Sequence, residues 1–484
     1  MPGRYQARKG IVVSFKPDYQ PFVLDGDQLR QTVINYASNP LYLDNEEWQN
    51  DDNPYRRQLR PQVLQYLDFS RVLQPDEILT YSALAANRLL TTIYEADLVL
   101  LPKAQFAERR ADFTGFYSTT NRVQGEMIRP YLERHVFGFL DDEVEVTGPW
   151  TKDDLQAFLR RLQEEPDDQP SKSELAIARS SDPKRALRNW LIQFAPDFLA
   201  EASPMIRNVM GYYGPVQSAW FKVIIDEYGY GVHRTKHSTL FERTLASVGL
   251  HSDLHRYWQY YLASSLMLSN YFHYLGKNHE NFFRYLGALY YTETELVGFC
   301  RRAASLMSSV FGEEADTLYF TEHVHIDGHH SRMVLEELIS PIVDQCGASV
   351  IPEIVRGYEE FRVLSQIADE DFAAQVQWMD SGPENKNLHD PIWAKVEAGE
   401  ITAPVAHLVE PRGELSNTHQ HDADELCHIR SGTMKFVSGY DAHQILEAGQ
   451  GTVIWGNRLH GAIIESPECV YEIHSVKDYR ACLS

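Results

Sequence analysis

From Gly413 the chain runs five residues to His419, one to His421, three to Glu425 and six to Gly432. Few patterns restrict a fold so tightly. Successive residues of a strand face opposite sides, so a His-x-His pair turns both imidazoles the same way. If that side is the interior of a closed sheet, further ligands can come from another wall of the barrel. Gly449 is followed by His460 on a later short run, which makes His460 the third candidate ligand. From Ala403 onward, β-branched runs separated by Gly432, Gly439, Gly449 and Gly451 read as a small all-β barrel. His419, His421 and His460 are expected to hold one metal ion inside it.

These two segments resemble the paired motifs of the cupin family, the first at every fixed position. In the second, Trp455, Asn457 and Ile464 stand where cupins usually carry Pro, Gly and Asn, so a different turn geometry is expected around a retained ligand. Glu425 suits either of two roles, a fourth ligand or a partner that orients His419 or His421. His428, His443 and His474 are expected to be structural or on the surface.

A second metal site is suggested upstream. On a helix, His323, Asp327 and His330 lie at i, i+4 and i+7 and share one face with Tyr319, Phe320, Ile326, Val334 and Leu338. Polar groups on a core-facing stripe must find partners, because burying them unpaired costs about 2–7 kcal/mol. His325 and His329 point elsewhere and read as bystanders. Glu293 sits among Leu286, Leu289, Tyr290, Leu296, Val297 and Cys300 at helical spacing, and Glu201 shares a face with Phe194, Phe198 and Met205. His237 heads a stripe of Leu240, Phe241 and Leu245, while Glu227 follows Trp220, Val223 and Ile224. Any one of these carboxylates could be paired with an arginine. Together, several carboxylates and three histidines from different helices form the inventory of a dinuclear, carboxylate-bridged centre, with Glu293 as the candidate bridge.

The histidines are unevenly spread: of 19, only His135 precedes residue 230, four fall within 323–330 and five within 407–443. Metal chemistry is thus expected in the middle and last parts of a chain of 484 residues, enough for about three domains. Residues 78–101 and 112–139 read as long helices, residues 163–174 as a linker, and residues 185–375 as helical with a break at Gly229, Tyr230 and Gly231. The expected domains are 1–145, 146–385 and 386–484. A net charge of −23 without a basic stripe argues against a nucleic-acid partner. Five scattered cysteines without a C-x-x-C pair suggest a reducing compartment. The apolar stretch at 11–15 is too short for a signal segment and no run reaches membrane-span length, so a cytoplasmic protein with no membrane partner is expected.

Over nearly its whole length the chain resembles the N-nitrosourea-forming metalloenzymes of streptozotocin biosynthesis. The likeness is strongest in DNPYRRQLRPQVL from Asp52, LIQFAPDFLAEASPM from Leu191, VIIDEYGYGVH from Val223, TEHVHIDGHH from Thr321 and VAHLVEPRGELSNTH from Val405. It implies a multidomain fold: an all-α N-terminal region that mediates a homodimer, an all-α haem-oxygenase-like bundle, and a C-terminal all-β cupin barrel. It places di-iron ligands on Glu201, Glu227, His237, Glu293, His323, Asp327 and His330, and a cupin iron on His419, His421 and His460, leaving Glu425 outside the coordination sphere. The implied cofactors are Fe(II), two in the bundle and one in the barrel, with O2 as co-substrate and an external reductant. The implied substrate is N-omega-methyl-L-arginine, hydroxylated on the delta and then the other omega nitrogen and rearranged at the cupin to an N-nitrosourea. Rival readings are an iron oxidase of another amine or amino acid, and a non-catalytic iron sensor or store.

Overall fold

In the computed structural model, residues 23–43, 53–164, 169–413 and 415–483 are described. The apolar stretch at 11–15 and the centre of the expected linker, residues 165–168, lie outside them. The N-terminal part is built from α1 (Gly26–Ala37), α2 (Tyr81–Glu95), α3 (Phe106–Phe116) and α4 (Thr119–Phe137). Helix α2 is buried on every side from Ala83 to Glu95, with α4 packed along it. It is shorter than its periodicity predicts, with Thr80 as its N-cap, and the Leu79 and Thr80 carbonyls also accept from Gln420 of the C-terminal part. The helix expected over 112–139 is two helices. The Ser118 hydroxyl accepts from the Asn121 N–H at 3.2 Å and caps α4, which an apolar spacing count does not register.

The helices continue as α5 (Lys152–Glu164), α6 (Lys172–Arg179), α7 (Pro183–Phe198), α8 (Pro215–Glu227), α9 (His237–Ser247), α10 (Ala263–Lys277), α11 (Phe282–Phe311), α12 (Leu318–Met333), α13 (Ile351–Asp380) and α14 (Gly382–Glu397). The expected linker is helical at both ends: α5 runs into it as far as Glu164, and α6 begins at Lys172 and packs against α13. The Ser171 hydroxyl and the Glu174 carboxylate form a capping box there, which turns a polar stretch into a helix start. Helices α11 and α13 cross with their backbones in contact: a Cβ on Gly287 would lie 1.8 Å from the Ile354 carbonyl oxygen. The break at Gly229–Gly231 is present, as a single tight turn after α8.

The C-terminal part has eight strands: β1 (Val405–Pro411), β2 (Leu415–His419), β3 (Asp424–Ser431), β4 (Thr433–Gly439), β5 (Ala442–Glu447), β6 (Gly451–Ile454), β7 (His460–Ile464) and β8 (Glu468–Lys477). They form two antiparallel four-stranded sheets, ordered β1-β8-β3-β6 and β2-β7-β4-β5, around a core that includes Ile429, Phe436, Leu446, Ile454 and Ile464. Helix α14, which spans residues 385 and 386, packs on β3 and β6. There Trp393 stacks on His428 with ring centres 3.8 Å apart, which gives His428 a structural place. One hydrophobic core runs from α1 through the bundle to Val437, Ala442 and Leu459 of the barrel. No single described helix is long and apolar enough to cross a membrane.

Candidate metal centres

The seven side chains expected in the helical centre come together. Glu227 is the last residue of α8, His237 the first of α9, Glu293 lies midway along α11, and His323, Asp327 and His330 line the inner face of α12. His325 and His329 are exposed on its outer face. Glu201 differs from expectation. It is not on a continuing helix: α7 ends at Phe198, and Glu201 lies in the turn before a short helix, Ser203–Ile206. Pro204, with no N–H to give to a preceding turn, starts that new helix instead of extending α7.

Within the cluster, ligand atoms of Glu201, Glu227, His237 and His323 lie within 4.8 Å of one another, and so do those of Glu227, Glu293 and His330. Glu227 belongs to both groups. Its Oε2 is 2.6 Å from His237 Nδ1 and 4.0 Å from His323 Nε2, while its Oε1 is 3.6 Å from His330 Nδ1. A carboxylate so placed could be shared between two ions, while Glu293, the expected bridging or shifting carboxylate, belongs to the second group alone. His323 donates through Nδ1 to the Tyr319 carbonyl at 2.8 Å, which leaves Nε2 facing Glu201 at 3.4 Å. The Tyr319 hydroxyl in turn donates to Glu201 at 3.1 Å.

The donor set fits two cations. Glu201 Oε2 and both Asp327 oxygens are buried without a hydrogen-bond partner, and Glu227 Oε2, His237 Nδ1 and His323 Nε2 meet only other members of the cluster, a costly state for polar atoms unless a metal satisfies them. Two divalent ions would also balance the charges of Glu201, Glu227, Glu293 and Asp327. Burial alone would lower the His323 pKa, but Asp327, Glu201 and Glu227 outweigh it and hold the imidazole well above its ordinary range. Burial raises Asp327 well above the usual carboxylate range.

Two acidic residues in this region were not anticipated. Asp226 Oδ2 lies 3.0 Å from His330 Nε2, so the ring donates outward to Asp226 and presents Nδ1 to Glu293 at 3.2 Å. Asp197, at the end of α7, lines the cavity beside the cluster together with Glu201, Glu227, Glu293, His323 and Asp327. Burial, reinforced by the Glu201 charge, pushes its carboxyl up to about 7. Both stand close to a candidate in the sequence: Asp226 adjoins Glu227, and Asp197 sits four residues before Glu201 between Phe194 and Phe198.

In the barrel, His419, His421 and His460 have ligand atoms within 4.8 Å of one another, with His419 and His460 register partners on β2 and β7. His460 donates through Nδ1 to the Arg458 carbonyl at 2.9 Å and stacks on Phe436. His421 lies beyond the end of β2, but the alternation persists. Thr418 and Gln420 point the other way, onto the N-terminal part, where Arg88 donates to the Thr418 carbonyl at 3.0 Å and Gln420 to the Leu79 and Thr80 carbonyls. One short segment thus carries metal ligands on one face and a docking surface on the other. Glu425 Oε2 is 3.2 Å from His421 Nε2, and burial raises its pKa to about 7. At the turn where cupins usually have Gly, Asn457 adopts φ 58° and its N–H donates to the His421 carbonyl at 2.7 Å. Asparagine tolerates that left-handed conformation, so the turn is kept without glycine.

The profile of a family described as iron-containing redox enzymes matches residues 188–361, which include the helical cluster from Glu201 to His330. A nitrosourea synthase from Streptomyces achromogenes subsp. streptozoticus is 63% identical over 471 residues, covering 97% of this chain and 100% of the relative.

Proposed function

Because this chain belongs to the nitrosourea synthase family and is an iron oxygenase, we propose that it converts N-omega-methyl-L-arginine into an N-nitrosourea in two stages. The helical centre hydroxylates the delta and then the other omega guanidine nitrogen, and the cupin centre rearranges the product oxidatively. The observation that carries this reading is the pairing of one carboxylate-bridged cluster, built around Glu227, with a separate three-histidine cluster. The first suits two ferrous ions and the second one. Ferrous ions in these places would supply O2 activation, and the rest of the chemistry is positioning by the chain. Each hydroxylation places one oxygen atom of O2 on nitrogen and reduces the other to water, so each draws two electrons from an external reductant.

The chain's own groups have definable tasks. Glu227, which faces His237 through Oε2 and His330 through Oε1, would be shared by both ions of the bundle. Asp226 and the Tyr319 carbonyl hold His330 and His323 in the tautomers that leave one nitrogen turned inward. Phe198, Phe272, Leu289 and Leu296 wall the cavity and limit water. In the barrel, the Arg458 carbonyl fixes His460, and Glu425 Oε2 stands 3.2 Å from His421 Nε2, the nitrogen that also faces His419. We assign residues 1–145 to dimerisation, 146–385 to hydroxylation and 386–484 to rearrangement, and place the protein in the cytoplasm, where its five unpaired cysteines would stay reduced.

The test is mass spectrometry of the anaerobically iron-loaded chain given O2, reductant and N-omega-methyl-L-arginine. His421→Ala should accumulate the dihydroxylated guanidine with no N-nitroso product. His330→Ala should yield nothing from methylarginine but still convert supplied dihydroxylated substrate. Loss of both stages in either variant would refute the division between sites.

A further inference from the structure

Two carboxylates lining the cavity beside the helical cluster, Asp327 and Asp197, fall outside the groups of converging ligand atoms; Asp327 still lies 4.0 Å from His330 Nδ1, whereas Asp197 pairs with no histidine among the described residues. Asp197 lines the same cavity as Glu201, Glu227, Glu293, His323 and Asp327, yet it is in neither group of converging ligand atoms. Among the described residues no donor hydrogen-bonds its side chain and no cation pairs with it. Asp197 is half-buried on the cavity wall, and a carboxylate so placed without a partner is costly, as the upward shift of its pKa reflects. Its nearest charged neighbour, Glu201, makes matters worse rather than better.

The remaining wall says what would relieve it. Neither lysine nor arginine lines this cavity, and apart from Thr292 and the acidic and imidazole groups its lining is apolar or aromatic, including Phe198, Phe272, Tyr285 and Leu289. A ligand with an aliphatic stem and a cationic head matches both features. A guanidinium offers parallel N–H donors that meet a carboxylate two at a time. Two ions in the cluster would balance its four carboxylates, leaving Asp197 as the uncompensated negative charge facing the ligand.

We infer that Asp197 is the substrate anchor of the helical site: its carboxylate accepts hydrogen bonds from the cationic guanidinium and selects it over a neutral urea of the same shape. This rests on the guanidine reading above and adds the residue that enforces it. The carboxylate binds and orients and takes no part in bond making. A uniformly binding contact of this kind shows in KM more than in kcat.

The test uses the full chain loaded with ferrous iron. Asp197→Asn should retain the iron content of the wild type while KM for N-omega-methyl-L-arginine rises by about tenfold or more and kcat changes less. Anaerobic calorimetry should show the wild type binding methylarginine in preference to N-omega-methyl-L-citrulline, its neutral isostere, and Asp197→Asn losing that preference. Asp197→Glu, which keeps the charge, should restore part of it. Loss of iron from the bundle in Asp197→Asn would make Asp197 a ligand and overturn the inference. So would an unchanged preference in that variant, or equal binding of the two ligands by the wild type, a measurement that stands even if the asparagine variant does not fold. Failure of the wild type to turn over any guanidine, with iron bound, would instead overturn the functional reading itself.

Discussion

At the scale of single residues, the helical centre is a problem of aiming nitrogens and oxygens. An imidazole has two ring nitrogens, and the one that can bind a metal is decided by what the other donates to. His323 spends Nδ1 on the Tyr319 carbonyl, and His330 spends Nε2 on Asp226, so the two rings present different nitrogens to the same cluster. Asp226 therefore supports His330 from behind. Asp226→Ala should weaken iron binding in the bundle by about 10–100-fold while leaving the barrel ion in place. Equilibrium titration of the apoprotein with ferrous iron would resolve the two classes of site, and a uniform loss across both would refute the assignment.

At the scale of elements, close backbone approach sets where ligands sit. Helix α11 carries Glu293 and crosses α13 at Gly287 and Gly357, where a Cβ on either glycine would fall within 2 Å of the opposite helix's carbonyl oxygen. Gly287→Ala must push the helices apart, at a cost of about 1–3 kcal/mol, and should move Glu293 relative to Glu227. Thermal unfolding would show the lowered melting temperature, and iron titration the weakened group of Glu227, Glu293 and His330. Helix α12 passes straight from its ligands into a π-helical turn, Val334–Ile339. Such wide turns occur mostly inside α-helices at functional sites. Here the turn begins four residues after His330 and carries Val334, Leu335, Leu338 and Ile339, all buried.

At the scale of the whole molecule, the parts are joined by buried charge as well as by a common core. Glu95 of α2 meets Arg57 at 2.6 Å and His255, from the segment between α9 and α10, also at 2.6 Å. Burial alone would raise the Glu95 pKa, but Arg57 and His255 outweigh it and hold it down to about 2, against an ordinary 4.5. A carboxylate depressed by folding stabilises the folded state above its ordinary pKa, and that stability is lost as pH falls through the folded value. Acid should therefore loosen the junction progressively between about 4.5 and about 2. Glu95→Gln should remove this component of the pH dependence and lower stability at neutral pH by about 3–5 kcal/mol, because Arg57 is left as an uncompensated buried charge. Chemical denaturation of both proteins across that pH range is the check. Much of this architecture was legible in the chain itself. The alternation around His419 and His421 and the i, i+4, i+7 spacing of His323, Asp327 and His330 named side chains that do turn inward together, because side-chain direction in strands and helices is a local property. Spacing misjudged Glu201, whose helix ends early, and passed over Ser118, Asp226 and Asp197, whose roles depend on caps and long-range neighbours. That Glu227 belongs to both groups of converging ligand atoms, and that the face of Thr418 and Gln420 docks on α2, came only from the packing of segments distant in the chain. Periodicity states which way a side chain points, but which atoms meet there is set by how distant helices and strands close around one core.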